Sequence, residues 1–197
     1  MLTTKVNKSL IILLLTFIFV GPMVAAWLTY SHGLFLSGGK VNHGLLMQPT
    51  VPISTLALVS NQEPANKAQL KGKWWLIYLT ADPENSLAQR NLYYIRQIRQ
   101  ATGKNRDRIE RAIITLQTKK GFDDWLRQHY PGTLHFTISH EKIAEIEASL
   151  PKKLALEKGS LYLVDPLGNI LLFYAPDAAP KGILKDLERV LKVSQIG

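Results

Sequence analysis

A chain of 197 residues, 46% of them hydrophobic, holds one membrane segment plus one domain of ordinary size with its own core, and is too short for two large domains. The formal charge of +9 would suit nucleic acid in the cytosol, so the compartment decides what that charge means. With no cysteine anywhere, disulfide staples, thiol redox chemistry and thiolate metal ligation are all excluded.

Residues 10–28 read LIILLLTFIFVGPMVAAWL, an uncharged run close to the ~20 residues that span a hydrocarbon core as a helix. Lys5 and Lys8 precede it, and the next basic residue is Lys40. This asymmetry predicts a cytoplasmic N-terminus over residues 1–9, a transmembrane helix over 10–28 and an extracytoplasmic remainder, where nucleic acid is no partner. Val24 and Ala26 leave signal cleavage after Ala26 as the competing reading. Trp27 and Tyr30 suit a membrane interface and favour a retained anchor, and Gly21-Pro22 is compatible with a kinked span.

Residues 29–52, rich in Gly, His, Ser and Pro, read as a juxtamembrane connector, and residues 53–197 as the domain. Strands are expected at 53–59 (ISTLALV) and 73–79 (KWWLIYL), then a helix over 83–102 with Leu87, Leu92, Ile95 and Ile98 on one face and Gly103 ending it. A strand at 108–116, a helix at 122–129 closed by Pro131-Gly132, a strand at 134–138 and a helix at 141–150 with Ser139 as N-cap follow. SLYLVDPLGNILLFY reads as a hairpin turning at 165–169, and residues 181–193 as a closing amphipathic helix. Alternating strands and helices with a terminal hairpin predict an α/β fold, a thioredoxin-like mixed sheet flanked by helices.

Asp82-Pro83-Glu84 opens the first domain helix. These residues suit an acid pair or a hard-metal site, but equally a plain helix start: Asp at N-cap, Pro at N1 and Glu in the positive field of the first turn. Capping is the preferred reading. Arg90, Arg96, Arg99, Lys104, Arg106, Arg108 and Arg111 concentrate positive charge over that helix and the loop after it, either as a solvated face or as a surface for a partner or anionic lipid. His32, His43, His129, His135 and His140 are scattered without zinc-site spacing, and Met1, Met23 and Met47 form no thioether cluster. The adjacent Trp74 and Trp75 are expected on opposite faces of one strand, and at least one of Tyr93 and Tyr94 in the core. No Gly-rich phosphate loop, Ser-His-Asp order or zinc-protease motif occurs, so no catalytic, cofactor-binding or metal residue is assigned and no enzyme is implied.

Two stretches, LKGKWWLIYL with NLYYIRQIRQATGKNRDRIERAI, and LYLVDPLGNILLFY with DAAPKGILKDLERVLK, resemble the membrane-anchored, Sco-like proteins associated with cytochrome oxidase assembly in proteobacteria. The resemblance covers residues 51–192. The DPLG hairpin supports the fold, while LYYIRQIRQATGK is more particular. The wider group places a Cys-x-x-x-Cys pair in the turn and first helical turn after the Trp-rich strand. With Leu92-Tyr93 lined up, those positions fall at about Glu84 and Ala88. The group's copper-binding histidine would fall near Glu157, and His140 lies too far back to replace it.

The resemblance implies an inner-membrane, single-pass protein with a periplasmic thioredoxin-like domain and no resident cofactor. It implies a non-enzymatic role in assembling or stabilising a respiratory haem-copper oxidase, with oxidase subunits or other assembly factors as partners. Asp82, Glu84 and Ala88 then mark a degenerate redox loop, Glu157 a degenerate histidine position, and Arg90, Arg96, Arg99 and Lys104 a partner surface. Two alternatives stand beside it. One is a copper metallochaperone with nonstandard ligands, His32 and His43 opposite Asp82 and Glu84; the other is a periplasmic protein-binding module unrelated to oxidase.

Overall fold

The computed structural model describes residues 8–31, 42–60, 70–117, 119–150, 156 and 158–196. Two compact units result, one up to Val41 and one from Asn42 onward. The first contains helix α1, Lys8–Ser31, which is long and apolar enough to cross a membrane and carries no buried residue.

The second unit is a seven-stranded mixed sheet. Its strands are β1 (Leu45–Pro52), β2 (Val59–Ser60), β3 (Trp74–Thr80), β4 (Ile109–Thr115), β5 (Thr133–Thr137), β6 (Leu161–Val164) and β7 (Asn169–Tyr174), in the order β1-β7-β6-β3-β4-β5-β2. β3, β4 and β5 run parallel, whereas β6, β7 and both edge strands pair antiparallel. Helices α2 (Ser86–Ala101), α3 (Phe122–His129), α4 (Ile143–Ser149) and α5 (Pro180–Val193) connect and cover the sheet. This is the expected thioredoxin-like architecture.

β3 shows why the sheet assembles here. All seven of its residues are buried, as befits a central strand covered on both faces, which reads as a continuous apolar run. Trp75, Ile77 and Leu79 enter one core cluster. Trp74, Leu76 and Tyr78 enter the other, with Leu92, Ile95 and Ile98 of α2 and Leu187 and Leu191 of α5. The two tryptophans therefore face opposite ways and both are buried. Tyr93 is exposed and Tyr94 half-buried, so the helix supplies its core face without either tyrosine.

Three elements depart from expectation. The stretch read as the end of the connector holds β1, which pairs with β7 across an irregularity between Leu46 and Val51. Pro49 and Pro52 disguise it, and they are tolerated because β1 is an edge strand. Residues 53–59, expected as a strand, form a 3-10 turn at Ile53–Leu56, a left-handed Ala57 at φ 46° and only the two-residue β2. The helix expected at 141–150 starts as a 3-10 turn at His140–Lys142, with the Ser139 backbone carbonyl rather than its side chain accepting from Lys142 N.

The chain entering the sheet is fastened to α5 through Asp186, which is 1% exposed. Its carboxylate accepts from His43 N at 2.8 Å, Gly44 N at 2.9 Å and Tyr174 Oη at 3.2 Å, and lies 3.0 Å from His43 Nδ1. Burial and the Asp186 charge push the Tyr174 phenol up, so it stays a donor. The packing is close enough to require glycine twice: a Cβ on Gly44 would stand 2.6 Å from the Tyr174 ring, and one on Gly182 2.9 Å from the His43 ring. Replacing Asp186 with Ala strands buried donors, each costing about 1–3 kcal/mol. Urea unfolding of the Asp186→Ala chain is accordingly expected to show a loss of about 3 kcal/mol or more, with Gly182→Ala destabilising the same contact by overpacking.

Candidate functional site

In the parallel half of such a sheet, the carboxyl ends of the strands carry the ligand-binding loops. The turn after β3 lies there. Thr80 Oγ1 donates to the Asp82 carbonyl at 3.0 Å, and Asp82 Oδ1 accepts from Glu84 N at 3.2 Å. The expected N-cap is corrected: the cap of α2 lies three residues later, at Asn85, whose Oδ1 accepts from Ala88 N at 2.7 Å. Asn caps as well as Asp does, and the Asp82 carboxylate is committed elsewhere. Neither Pro83 nor Glu84 lies within the helix, whose first turn holds no acid.

Asp82 and Glu84 are joined by Lys119, from the segment after β4. Its ammonium stands 2.9 Å from Asp82 Oδ1 and 3.0 Å from Glu84 Oε2. Lys119 and the Glu84 backbone N–H hold the Asp82 carboxyl below the usual carboxylate range, and the two carboxylates in turn push Lys119 up. All three are solvent-exposed, so the arrangement shapes the turn more than it stabilises the fold. Ala88 is fully buried against the core. Of the two positions matched to the missing pair, one is thus a surface carboxylate and the other a packing methyl.

Behind the turn lies a polar chain that sequence reasoning missed. His135, on β5 and 0% exposed, sits 2.8 Å from Thr115 Oγ1 through Nε2 and 2.5 Å from Asp123 Oδ1 through Nδ1. The Phe122 ring packs edge-on at 5.0 Å between centroids. Thr115 is itself fully buried, so the Thr-His-Asp order orients groups in the core and exposes no nucleophile. A fully buried histidine in a strand next to Asp123 at the start of the preceding helix had no local spacing signal.

The basic residues divide. Arg90 and Arg96 on α2 and Lys104 beyond it are exposed, whereas Arg99 is half-buried and donates from Nε to the Ile109 carbonyl. Arg108 is structural: its guanidinium donates to the carbonyls of Leu191, Ser194 and Ile196 and so caps the end of α5. Arg111 is buried in the sheet. Of the four residues expected at a partner surface, Arg90, Arg96 and Lys104 are thus exposed and Arg99 half-buried, with Tyr93 exposed on the same helix. Glu157 and His32 lie outside the described residues.

The expected metal donors that lie among the described residues already have partners. The sequence has no thiol, His43 Nδ1 faces Asp186, and an ammonium already occupies the space between Asp82 and Glu84. Among the described residues no group of three or more His, Asp or Glu side chains is placed to hold a metal ion.

The class is settled by these features together with the family comparison. The family model described as the transmembrane-like, thioredoxin-like, C-terminal domain matches residues 74–194, more than half of the chain, and the chain belongs to that family. Similar solved structures include apo Sco1 from Thermus thermophilus, at 14% identity and TM-score 0.56 over 78% of this chain and 99% of that one. Copper-bound ScoI from Arabidopsis thaliana matches at 15% identity and TM-score 0.51, over 64% of this chain and 88% of that one. A thiol:disulfide interchange protein from Bacteroides sp. matches at 12% and 0.50, over 77% and 91%. At these identities they bear on the fold alone. Among proteins with curated descriptions, none matches the sequence.

Burial pushes the His135 imidazole below its ordinary value of 6.5, against the pull of Asp123. Its neutral form is therefore favoured by folding: the stabilisation is complete above pH 6.5 and is lost as the pH falls from there toward the depressed folded value. Denaturation midpoints are expected to fall between pH 7.5 and pH 5, and His135→Gln to flatten that slope. A slope unchanged by the substitution would contradict the assignment.

Proposed function

We propose that this chain is a non-enzymatic, membrane-anchored accessory factor that helps assemble or stabilise a respiratory haem-copper oxidase through a redox-inactive thioredoxin-like domain. The observation that carries this reading is the turn after β3, where Lys119 closes Asp82 and Glu84 into an ion-paired loop. In redox-active members of the fold the same helix terminus favours a thiolate. A carboxylate there holds the turn but cannot exchange electrons.

The oxidase assignment draws on the resemblance of LYYIRQIRQATGK to Sco-like proteins and on the fold shared with Sco1 of Thermus thermophilus. In this reading α1 is a single-pass anchor in the inner membrane, with residues 1–9 cytoplasmic and the domain periplasmic. Asp82, Glu84 and Ala88 mark a degenerate redox loop, with Glu84 and Ala88 at about the positions of the thiol pair of Sco-like proteins. Arg90, Arg96, Arg99 and Lys104, together with the Asp82–Glu84 turn, form the contact surface for an oxidase subunit or another assembly factor.

Deleting the gene tests the proposal. Oxidase abundance and its haem and copper content in membranes are expected to fall and to be restored by the wild-type chain. Unchanged oxidase level and metal content would overturn the assignment and leave a periplasmic binding module with another partner.

A further inference from the structure

The side of the sheet covered by α2 contains a buried positive charge with no acceptor for most of its donors. Arg111, third in β4 and 5% exposed, gives one hydrogen bond, from Nη2 to the Pro131 carbonyl at 2.7 Å. Its Nε and Nη1 are buried and unpartnered, and so is Oγ1 of Thr133. Arg111 and Thr133 are register partners on parallel strands, so their side chains share one face. Two nitrogens of the guanidinium and the hydroxyl of its register partner are thus left without a hydrogen bond on one face of the sheet.

The surroundings add charge. Arg96 and Arg99, three residues apart on α2 and so neighbours on its surface, add to this charge: Arg99 Nε donates to the Ile109 carbonyl of the strand that bears Arg111, and burial first, then Arg99 and Arg96, bring the Arg111 pKa down to about 10. Glu110, the neighbouring carboxylate, is engaged by Lys73 at 2.8 Å and is 3.9 Å from Arg99. One carboxylate shared among these cations leaves the cluster positive. A water would satisfy a donor but would leave that charge uncompensated, whereas an oxyanion does both.

We propose that Arg111 and Thr133, with Arg96 and Arg99 at the rim, form a binding site for a phosphate group, supplied by inorganic phosphate or by a phospholipid headgroup. Arg111 provides the buried donors, Thr133 a hydroxyl donor and the α2 arginines the attracting field. Arg96 is exposed, and exposed side chains change rotamer within nanoseconds, so it is free to turn toward an incoming anion. The site is independent of the oxidase assignment.

The test uses the full chain in an uncharged maltoside detergent. Sodium phosphate is compared with sodium chloride at equal ionic strength, following thermal unfolding and the Arg111 Nε–H resonance. A saturable rise in Tm of about 3–6 °C at tenfold excess over the dissociation constant is expected, together with a shift of that resonance. Arg111→Met should abolish both effects. Arg96→Gln, at an exposed position that leaves the fold intact, should raise the half-saturating phosphate concentration several-fold.

A second arm places the chain in nanodiscs of phosphatidylcholine with or without phosphatidic acid. An Arg111- and Arg96-dependent response confined to phosphatidic acid identifies the headgroup as the source, and a response to inorganic phosphate identifies the free anion. If neither arm responds, or if both responses survive Arg96→Gln and Arg111→Met unchanged, the site is overturned. Should Arg111→Met fail to fold, an unchanged phosphate response in Arg96→Gln alone overturns it.

Discussion

Burial of β3 on both faces is the constraint from which the rest of the domain follows. Seven consecutive residues with no exposed side require a helix layer above and a packed layer below, and α2, α5 and the 53–56 turn supply them. Because β3 pairs in parallel with β4 and antiparallel with β6, its carboxyl end opens beside the carboxyl end of β4. The turn at residues 82–85 and the segment bearing Lys119 are thereby brought face to face.

This placement gives the turn its charge pattern. A scaffold that presents the start of a helix at the end of a buried strand favours negative charge there, whether thiolate or carboxylate. Here the charge is carboxylate, partly offset across the loop by Lys119 and set off from a helix capped by Asn85. Behind it the Asp123–His135–Thr115 chain joins α3, β5 and β4 beneath the surface. The result, among the described residues, is a charged turn over a closed core.

Much of the fold was legible because its signals are local. The apolar run of β3, the hairpin around DPLG and the helix at Phe122–His129 each declare themselves within a dozen residues. β1 was hidden because Gln48-Pro49 and Pro52 look like connector, and only its place at the edge of the sheet admits them. The helix start was misplaced by three residues because Asp82 and Asn85 are equally good caps. What separates them is Lys119, distant in sequence. The candidate site was legible in its charges and not in its pairings. Arg111 fell within an expected strand yet was grouped with the surface cations, from which its burial separates it, and Asp186 could have been noticed as an acid lying beside the apolar stripe of Ile183, Leu187 and Leu191.

The central claim is that the Asp82–Glu84 turn and the neighbouring α2 face act by contact. A photo-crosslinking residue placed at the exposed Tyr93 or Glu84 in the full chain, irradiated in native membranes, tests it most directly. The account predicts crosslinks to an oxidase subunit or an oxidase assembly factor, lost when the label is moved to a buried position such as Ala88. Crosslinks to neither kind of protein from either surface position would contradict it.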